Sequence, residues 1–420
     1  MKIKDYKVDG YNIHVLKTDK FKQIKILVEF VSYDNVKSLY FAPLLINILK
    51  RTSSQYNSLN QKNLALYKLY APSCSVNYNI AGSYLCFGLN LTFLNEKYTE
   101  KGMNEKTIDF AFNILFNPKI ENKSFDEKTL EIIKEEIIHE LESKKENPRS
   151  YIGPYLSENL PISKYKLPSL KETIAQIKNI DGQTLYKYYQ YLLKNSRLEI
   201  FITGDVSEAI ISQITSRIPY NPKTVDISSP YIIQTKRPKL KVIKEKIPDN
   251  QSLLNIGLVG LNLNYFESNY VLRIYSSILG GGTESLLNKE AREEKSLCYS
   301  ISTARCDFNS TIRIFSAFDK ENYNQMIEII NRKLEDMRQG NFEDNLIDEY
   351  KQSYIASFYD SEDFIGVCTE DMKGEVLYGD VPNREKIKNM RKVTKEDVVA
   401  LARKIHIATI IYLEGERKND

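Results

Sequence analysis

Hydrolytic chemistry needs a metal, an activated nucleophile or paired carboxylates, and the histidine supply is the tightest constraint on all of these here. The chain has three histidines, His14, His139 and His406. His14 and His406 lie in strand-like text near the two ends, and each reads as a packed or surface residue, because a lone imidazole lacks the further donors a metal site needs. His139 sits in Glu136-Ile137-Ile138-His139-Glu140. Glu136 and His139 share a helix face at i, i+3, the unit used by di-iron bundles, but those bundles need a second copy and two more glutamates. With one copy the segment reads as a solvated helix face. Gly280-Gly281-Gly282-Thr283 precedes a helix but lacks the Gly-Lys-Ser/Thr ending of a phosphate loop, so a tight turn with close backbone packing is expected. No Gly-x-Ser-x-Gly elbow occurs, and the five cysteines carry no local catalytic signature. They read as buried small residues.

One pair remains. Arg292 and Tyr299 stand seven residues apart in NKEAREEKSLCYSIS, where helical text gives way to a strand. A guanidinium and a phenol are both donors, and at a cleft wall they could grip a peptide carbonyl and stabilise an oxyanion. An exposed arginine and a packing tyrosine fit the same letters.

The elements that would position these residues are legible from hydrophobic period. Tyr11–Leu16 and Lys25–Val31 alternate as strands, and Tyr40–Lys50 is an apolar helix with Pro43 in its first turn. Gln61–Tyr70 has helical spacing, and Ser75–Phe93 reads as strands turning near Gly82. Asp126–Lys144 is the clearest helix, with Leu130, Ile133, Ile137 and Leu141 on one face. A helix at Gln183–Leu193 leads into the strand Leu198–Thr203. Pro219, Pro222, Pro230 and Pro238, separated by polar residues, mark a linker. The second half then replays the first: a strand at Leu253–Val259, a helix at Tyr270–Leu279, strands at Cys298–Thr303 and Thr311–Phe318, and helices at Tyr323–Met337 and Glu343–Phe358. RLEIFITGD and IATIIYLEG, each preceded by a helix, match best. A period of ~210 residues suggests a duplicated α+β domain rather than a short-repeat solenoid.

Composition narrows the partners. With 420 residues and 42% hydrophobic content the chain can build more than one core. The 59 basic and 55 acidic residues give a net charge of +4, which makes no case for nucleic acid or a membrane surface. An odd cysteine count without Cys-x-x-Cys argues against a disulfide framework. The polar text from Met1 to Gly10 and the lack of a long apolar run make the cytoplasm the simplest location.

The text ILGGGTESLLNKEAREEKSLCYSIS resembles the second-half signature of the pitrilysin or insulinase-like (M16) zinc metallopeptidases, especially their bacterial processing-peptidase-like branch. Gly280 to Gly282, Arg292, Glu293, Leu297 and Tyr299 carry the match. In that family the Arg and Tyr bind substrate and help stabilise the transition state, a role the resemblance extends to Arg292 and Tyr299. The first half is similar too, without the metal site. Active members carry His-x-x-Glu-His on the first helix, followed by a short tail to which Leu49-Lys50-Arg51-Thr52 corresponds. Counting back puts Ala42, Leu45 and Ile46 at the His, Glu and His positions, and none of these side chains has a donor atom for zinc. Glu136 stands at the third-ligand position, and Thr129 where the family often has another Glu.

The resemblance implies an α+β fold of two homologous domains, each a mostly antiparallel sheet packed with helices, forming a clamshell: 1–217, a linker at 218–240, and 241–420. It implies a non-catalytic, substrate-binding subunit of a heterodimeric zinc endopeptidase acting on unstructured peptides. This chain would bind no cofactor, and zinc would sit in a homologous partner with an intact motif. Nucleic acid and membrane are not implied partners. The alternatives are a structural or peptide-binding homologue without proteolytic role and a self-sufficient enzyme with an unrelated site.

Overall fold

The computed structural model of the protein describes residues 3–33, 35–51, 53–56, 58–161, 167–220, 222 and 225–416, with backbone alone at 361. Thr52, the last residue of the motif tail, and residues 221, 223 and 224 of the expected linker lie outside the described residues. The chain folds as two compact units.

The first unit is built on a six-stranded sheet. Its strands are β1 (Ile3–Val8), β2 (Tyr11–Lys17), β3 (Gln23–Tyr33), β4 (Ser73–Ala81), β5 (Tyr84–Leu94) and β6 (Arg197–Gly204), in the order β1-β2-β6-β3-β5-β4. The second unit has β7 (Lys241–Ile247), β8 (Ser252–Gly260), β9 (Ser300–Cys306), β10 (Thr311–Phe318) and β11 (Ile405–Gly415), in the order β7-β11-β8-β10-β9. β6 runs parallel to β2 and antiparallel to β3, and β11 runs parallel to β7 and antiparallel to β8. β3-β5-β4 and β8-β10-β9 continue as antiparallel meanders. The second sheet thus repeats the topology of the first without a counterpart of β1. The expected duplication is real at the level of topology, and the two matched sequences are β6 and β11.

Each unit also draws on the other half of the sequence. Leu141–Ser169, before the linker, belongs to the second unit, and Asp360–Pro382, after it, belongs to the first. Neither unit is therefore one continuous stretch on its side of 218–240. The reason is burial. The helix Pro148–Asn159 places Ile152 and Leu156 on Leu253, Ala317, Ile411 and Leu413 of the second sheet. The helix Ile365–Lys373 places Cys368 and Met372 against Leu16, Leu27, Val31 and Phe201 of the first. At ~2 kcal/mol for each fully buried aliphatic side chain, such short helices are held by their sheets rather than by intrinsic propensity.

Several boundaries differ from the sequence reading. The first apolar helix starts at Ser38 and ends at Arg51, so Pro43 falls one turn inside it rather than in its first turn. An interior proline withholds one N–H from the helix ladder, and burial of Ala42, Leu44, Leu45 and Leu49 offsets that loss. The helix expected from Tyr270 begins at Glu267 as a wide π turn and continues to Gly280. Among the described residues no helix is long and apolar enough to cross a membrane.

Candidate functional site

Arg292 and Tyr299 are carried by one helix–turn–strand unit. The helix Leu272–Gly280 closes against β9: a Cβ on Gly280 would lie 2.7 Å from Thr303 Cγ2, and one on Gly281 would lie 2.6 Å from Ser277 Cα. Gly280 and Gly281 therefore serve close packing, as the sequence suggested, whereas Gly282 has room for a side chain. The chain then enters a wide π turn, Asn288–Glu294. π turns are uncommon and recur at functional sites. Asn288 Nδ2, buried, donates to Ile301 O at 3.0 Å and ties this turn to β9.

The connection to β9 is pinned from several sides. Leu297 N donates to Ala291 O at 2.8 Å, and Asn322 Nδ2 donates to Leu297 O at 2.9 Å. Ser296 takes a left-handed conformation with φ 49°, which tightens the reversal. Glu290, on the same turn, accepts from Lys295 at 2.8 Å and from Lys333 at 3.0 Å, and pairs with Arg332. Burial alone would raise the Glu290 carboxyl, but the bonds from Lys295, Lys333 and Arg332 outweigh it and bring it down to about 2.

The two named side chains point outward from this braced turn. The Arg292 side chain is 48% exposed, its Nε 3.7 Å from Glu293 Oε1. Tyr299 is 55% exposed, so the plainer reading, a packing tyrosine, does not hold. Its backbone N–H donates to Ala317 O at 2.9 Å, and its hydroxyl donates to Asp319 at 3.2 and 3.3 Å. Cys298 lies between them. Burial pushes its thiol up, and a bond with Ser316 and the Arg292 charge pull it partly back. The turn thus presents a cation and an oriented phenol to solvent at the start of β9. Such a surface can hold a carbonyl or an anion.

The first unit shows the converse. Ala42 and Leu45 are fully buried in the core, and Ile46 is half-buried. Glu136 is exposed on the helix Glu127–Glu146 and forms an ion pair with Arg51. A hydrocarbon set at three positions and a carboxylate already matched by a guanidinium do not fit zinc. Among the described residues no group of three His, Cys, Asp or Glu side chains could hold a metal ion. His139 is exposed, in line with a solvated face.

His14 departs from the bland reading in detail. It is buried, its Nδ1 2.7 Å from Asp5 Oδ1 and its Nε2 2.9 Å from Glu199 Oε2, and its ring stacks on Phe201. Burial pushes its pKa down, but the bonds to Glu199 and Asp5 outweigh that and leave it raised. Glu199, with no exposed surface, is also paired with Arg197. The cluster satisfies itself between β1, β2 and β6 and is structural. Asp319 and Glu290, which orient Tyr299 and brace the Arg292 turn, escaped the sequence reading. Asp319 lies 20 residues from Tyr299 and Arg332 lies 42 from Glu290, and no local pattern marks these pairings.

Residues 179–354 match the family model described as the Peptidase M16 inactive domain. The chain is 22% identical over 412 residues to the "Probable inactive metalloprotease YmfF" of Bacillus subtilis, covering 97% of this chain and 96% of that protein. Its fold superposes on a crystal structure of a protein from Enterococcus faecalis with a TM-score of 0.89 and 24% identity, each chain fully covered. A crystal structure of a peptidase M16 inactive domain from Pseudomonas fluorescens gives a TM-score of 0.78 at 15% identity, over 100% of this chain and 99% of that one. Residues 179–354 thus resemble the peptidase M16 inactive domain, and the chain as a whole shares the fold of solved M16-like proteins.

Proposed function

We propose that the chain is the substrate-holding subunit of a two-chain zinc endopeptidase that acts on unstructured peptides. Arg292 and Tyr299 would serve a zinc ion bound by a homologous partner with an intact His-x-x-Glu-His motif. The observation that carries this reading is the asymmetry between the units. The metal-ligand positions are given over to core packing at Ala42 and Leu45, while the turn bearing Arg292 and Tyr299 is braced and both side chains stay exposed. A scaffold has no use for a braced donor pair. The five free cysteines suit a reducing compartment such as the cytoplasm.

The test is co-expression with a zinc-motif homologue from the same genome, followed by cleavage of unstructured peptides. Arg292→Ala and Tyr299→Phe are each expected to lower kcat/KM by about 100-fold, the scale of losing one transition-state donor, while leaving subunit assembly intact. Zinc should co-purify at one equivalent with the pair and not with this chain alone. Full activity of both variants would overturn the shared-site reading.

A further inference from the structure

The face of the second sheet that carries the helix Pro148–Asn159 is apolar over β8 and β11, where Ile152 and Leu156 cover Leu253, Ile411 and Leu413. Toward β10 and β9 its character changes. Strand register places Asn255, Phe315 and Ser302 in one row and Gly257, Arg313 and Ala304 in the next. Ser302, Ala304 and Gly153 of the helix are small, and they leave a cavity of about 290 Å³ lined also by Arg149, Ile152, Asn255, Arg313 and Phe315. That volume lies at the low end of the range for small-molecule sites, about 300–1,000 Å³.

The lining has a definite chemical sense. It contains two arginines and no carboxylate. Arg149 is bonded to the neutral carboxamide of Gln251. A Cβ on Gly153 would lie 3.5 Å from Arg313 Nη1, so the Arg313 guanidinium lies across the helix at its one residue without a side chain. Neither arginine is paired with an acid among the described residues. Asn255, 1% exposed, donates from Nδ2 to Ile152 O at 3.3 Å. That bond sets the amide's orientation and leaves Oδ1 a buried acceptor without a hydrogen-bond partner. Buried acceptors are normally satisfied. The cavity therefore calls for an anion matched to guanidinium geometry next to an N–H donor, on a ledge formed by Phe315 and Ile152.

We propose that this cavity binds a peptide carboxylate, with the C-terminal carboxylate on Arg149 and Arg313 and an adjacent peptide N–H on Asn255 Oδ1. The inference rests on the peptide-binding reading above and adds to it the end of the substrate that is recognised. β9 is the edge strand of its sheet, so an extended peptide can pair along it. Ser302 lies three residues beyond Tyr299, about 10 Å along a strand. A peptide touching Tyr299 would then reach the cavity with its last few residues.

Fluorescence anisotropy on the full chain tests this with three labelled peptides: a neutral hexapeptide with a free C-terminal acid, its C-terminal amide, and an amidated version with one internal Glu. The free acid should bind at least about tenfold more tightly than the amide, the scale of one charge-assisted pair. Arg313→Gln and Arg149→Gln should each erase that preference, and Arg313→Lys should restore part of it. The preference should also shrink as salt is raised. Tight binding of the amidated Glu peptide, lost in Arg313→Gln, would assign the cavity to acidic side chains rather than to chain ends. Equal binding of acid and amide, or an acid preference that survives Arg313→Gln, would overturn the proposal. The two readings separate cleanly. An acid preference with cleavage insensitive to Arg292→Ala leaves the cavity and removes the shared zinc site, whereas cleavage sensitive to Arg292→Ala without an acid preference does the reverse.

Discussion

Glu290 is held by three cations, Lys295, Arg332 and Lys333, and through the last two the π turn carrying Arg292 is fastened to the helix Tyr323–Gln339. Glu290→Gln keeps the shape and removes the charge. It is expected to cost about 2 kcal/mol near neutral pH, the scale of hydrogen bonds to a charged group, as read by urea unfolding. The folded carboxyl lies at about 2 against an ordinary value of 4.5, so the stabilisation is fully present above 4.5 and is lost as pH falls toward 2. The difference between wild type and Glu290→Gln should therefore be constant above that window and shrink within it. A difference that ignores pH would mean the carboxylate is not ionised by these contacts.

At the scale of elements, the approach of the helix Leu272–Gly280 to β9 decides where the site begins. Gly280→Ala puts a methyl group 2.7 Å from Thr303 Cγ2, and overpacking of that kind costs about 1–3 kcal/mol. Thr303→Ser removes the offending methyl and keeps the hydroxyl that bonds Ser276 O at 2.7 Å. The double variant should recover most of the loss in a thermal or urea cycle, with a coupling outside simple additivity. Additive effects would show that the glycine answers to helix termination and not to this contact. Hydrophobic period made the helices and strands legible, including Thr311–Phe318 to the residue. It did not reveal the π turns at Glu267–Val271 and Asn288–Glu294, because one extra residue per turn leaves no trace in a short apolar pattern.

At the scale of the whole chain, the exchange of segments makes each unit depend on residues from the other half. Lys373 arrives in the first unit on such a segment and bonds Glu29 at 2.8 Å, both side chains buried. Burial raises the Glu29 carboxyl and would lower the Lys373 ammonium, but their mutual contact holds Lys373 well above its ordinary value. Lys373→Met leaves a buried charge without a partner, a change that costs about 3–5 kcal/mol. Adding Glu29→Leu should return most of that stability, since an apolar pair replaces the ionic one. Limited proteolysis should cut faster within 360–382 in the single variant and near the wild-type rate in the double. Rapid cutting in both would mean the segment is not held by this pair.

The sequence by itself determined the duplication of an α+β unit and the chemistry open to the side chains at particular positions. Alanine, leucine and isoleucine at 42, 45 and 46 have no donor atoms in any fold, so these three side chains cannot ligate zinc whatever the tertiary structure. The matched strands β6 and β11 declared the duplication because alternation and helix spacing are local properties of the chain. Tertiary structure decided the rest. That Glu136 meets Arg51 follows from helix packing within the first unit, that Asp319 orients Tyr299 from strand register, and that Arg313 and Asn255 share a cavity with Arg149 from register and a helix contributed by the opposite half. Those pairings bring together residues far apart in sequence, and the free energy that selects them comes from burying whole faces, which no local pattern encodes.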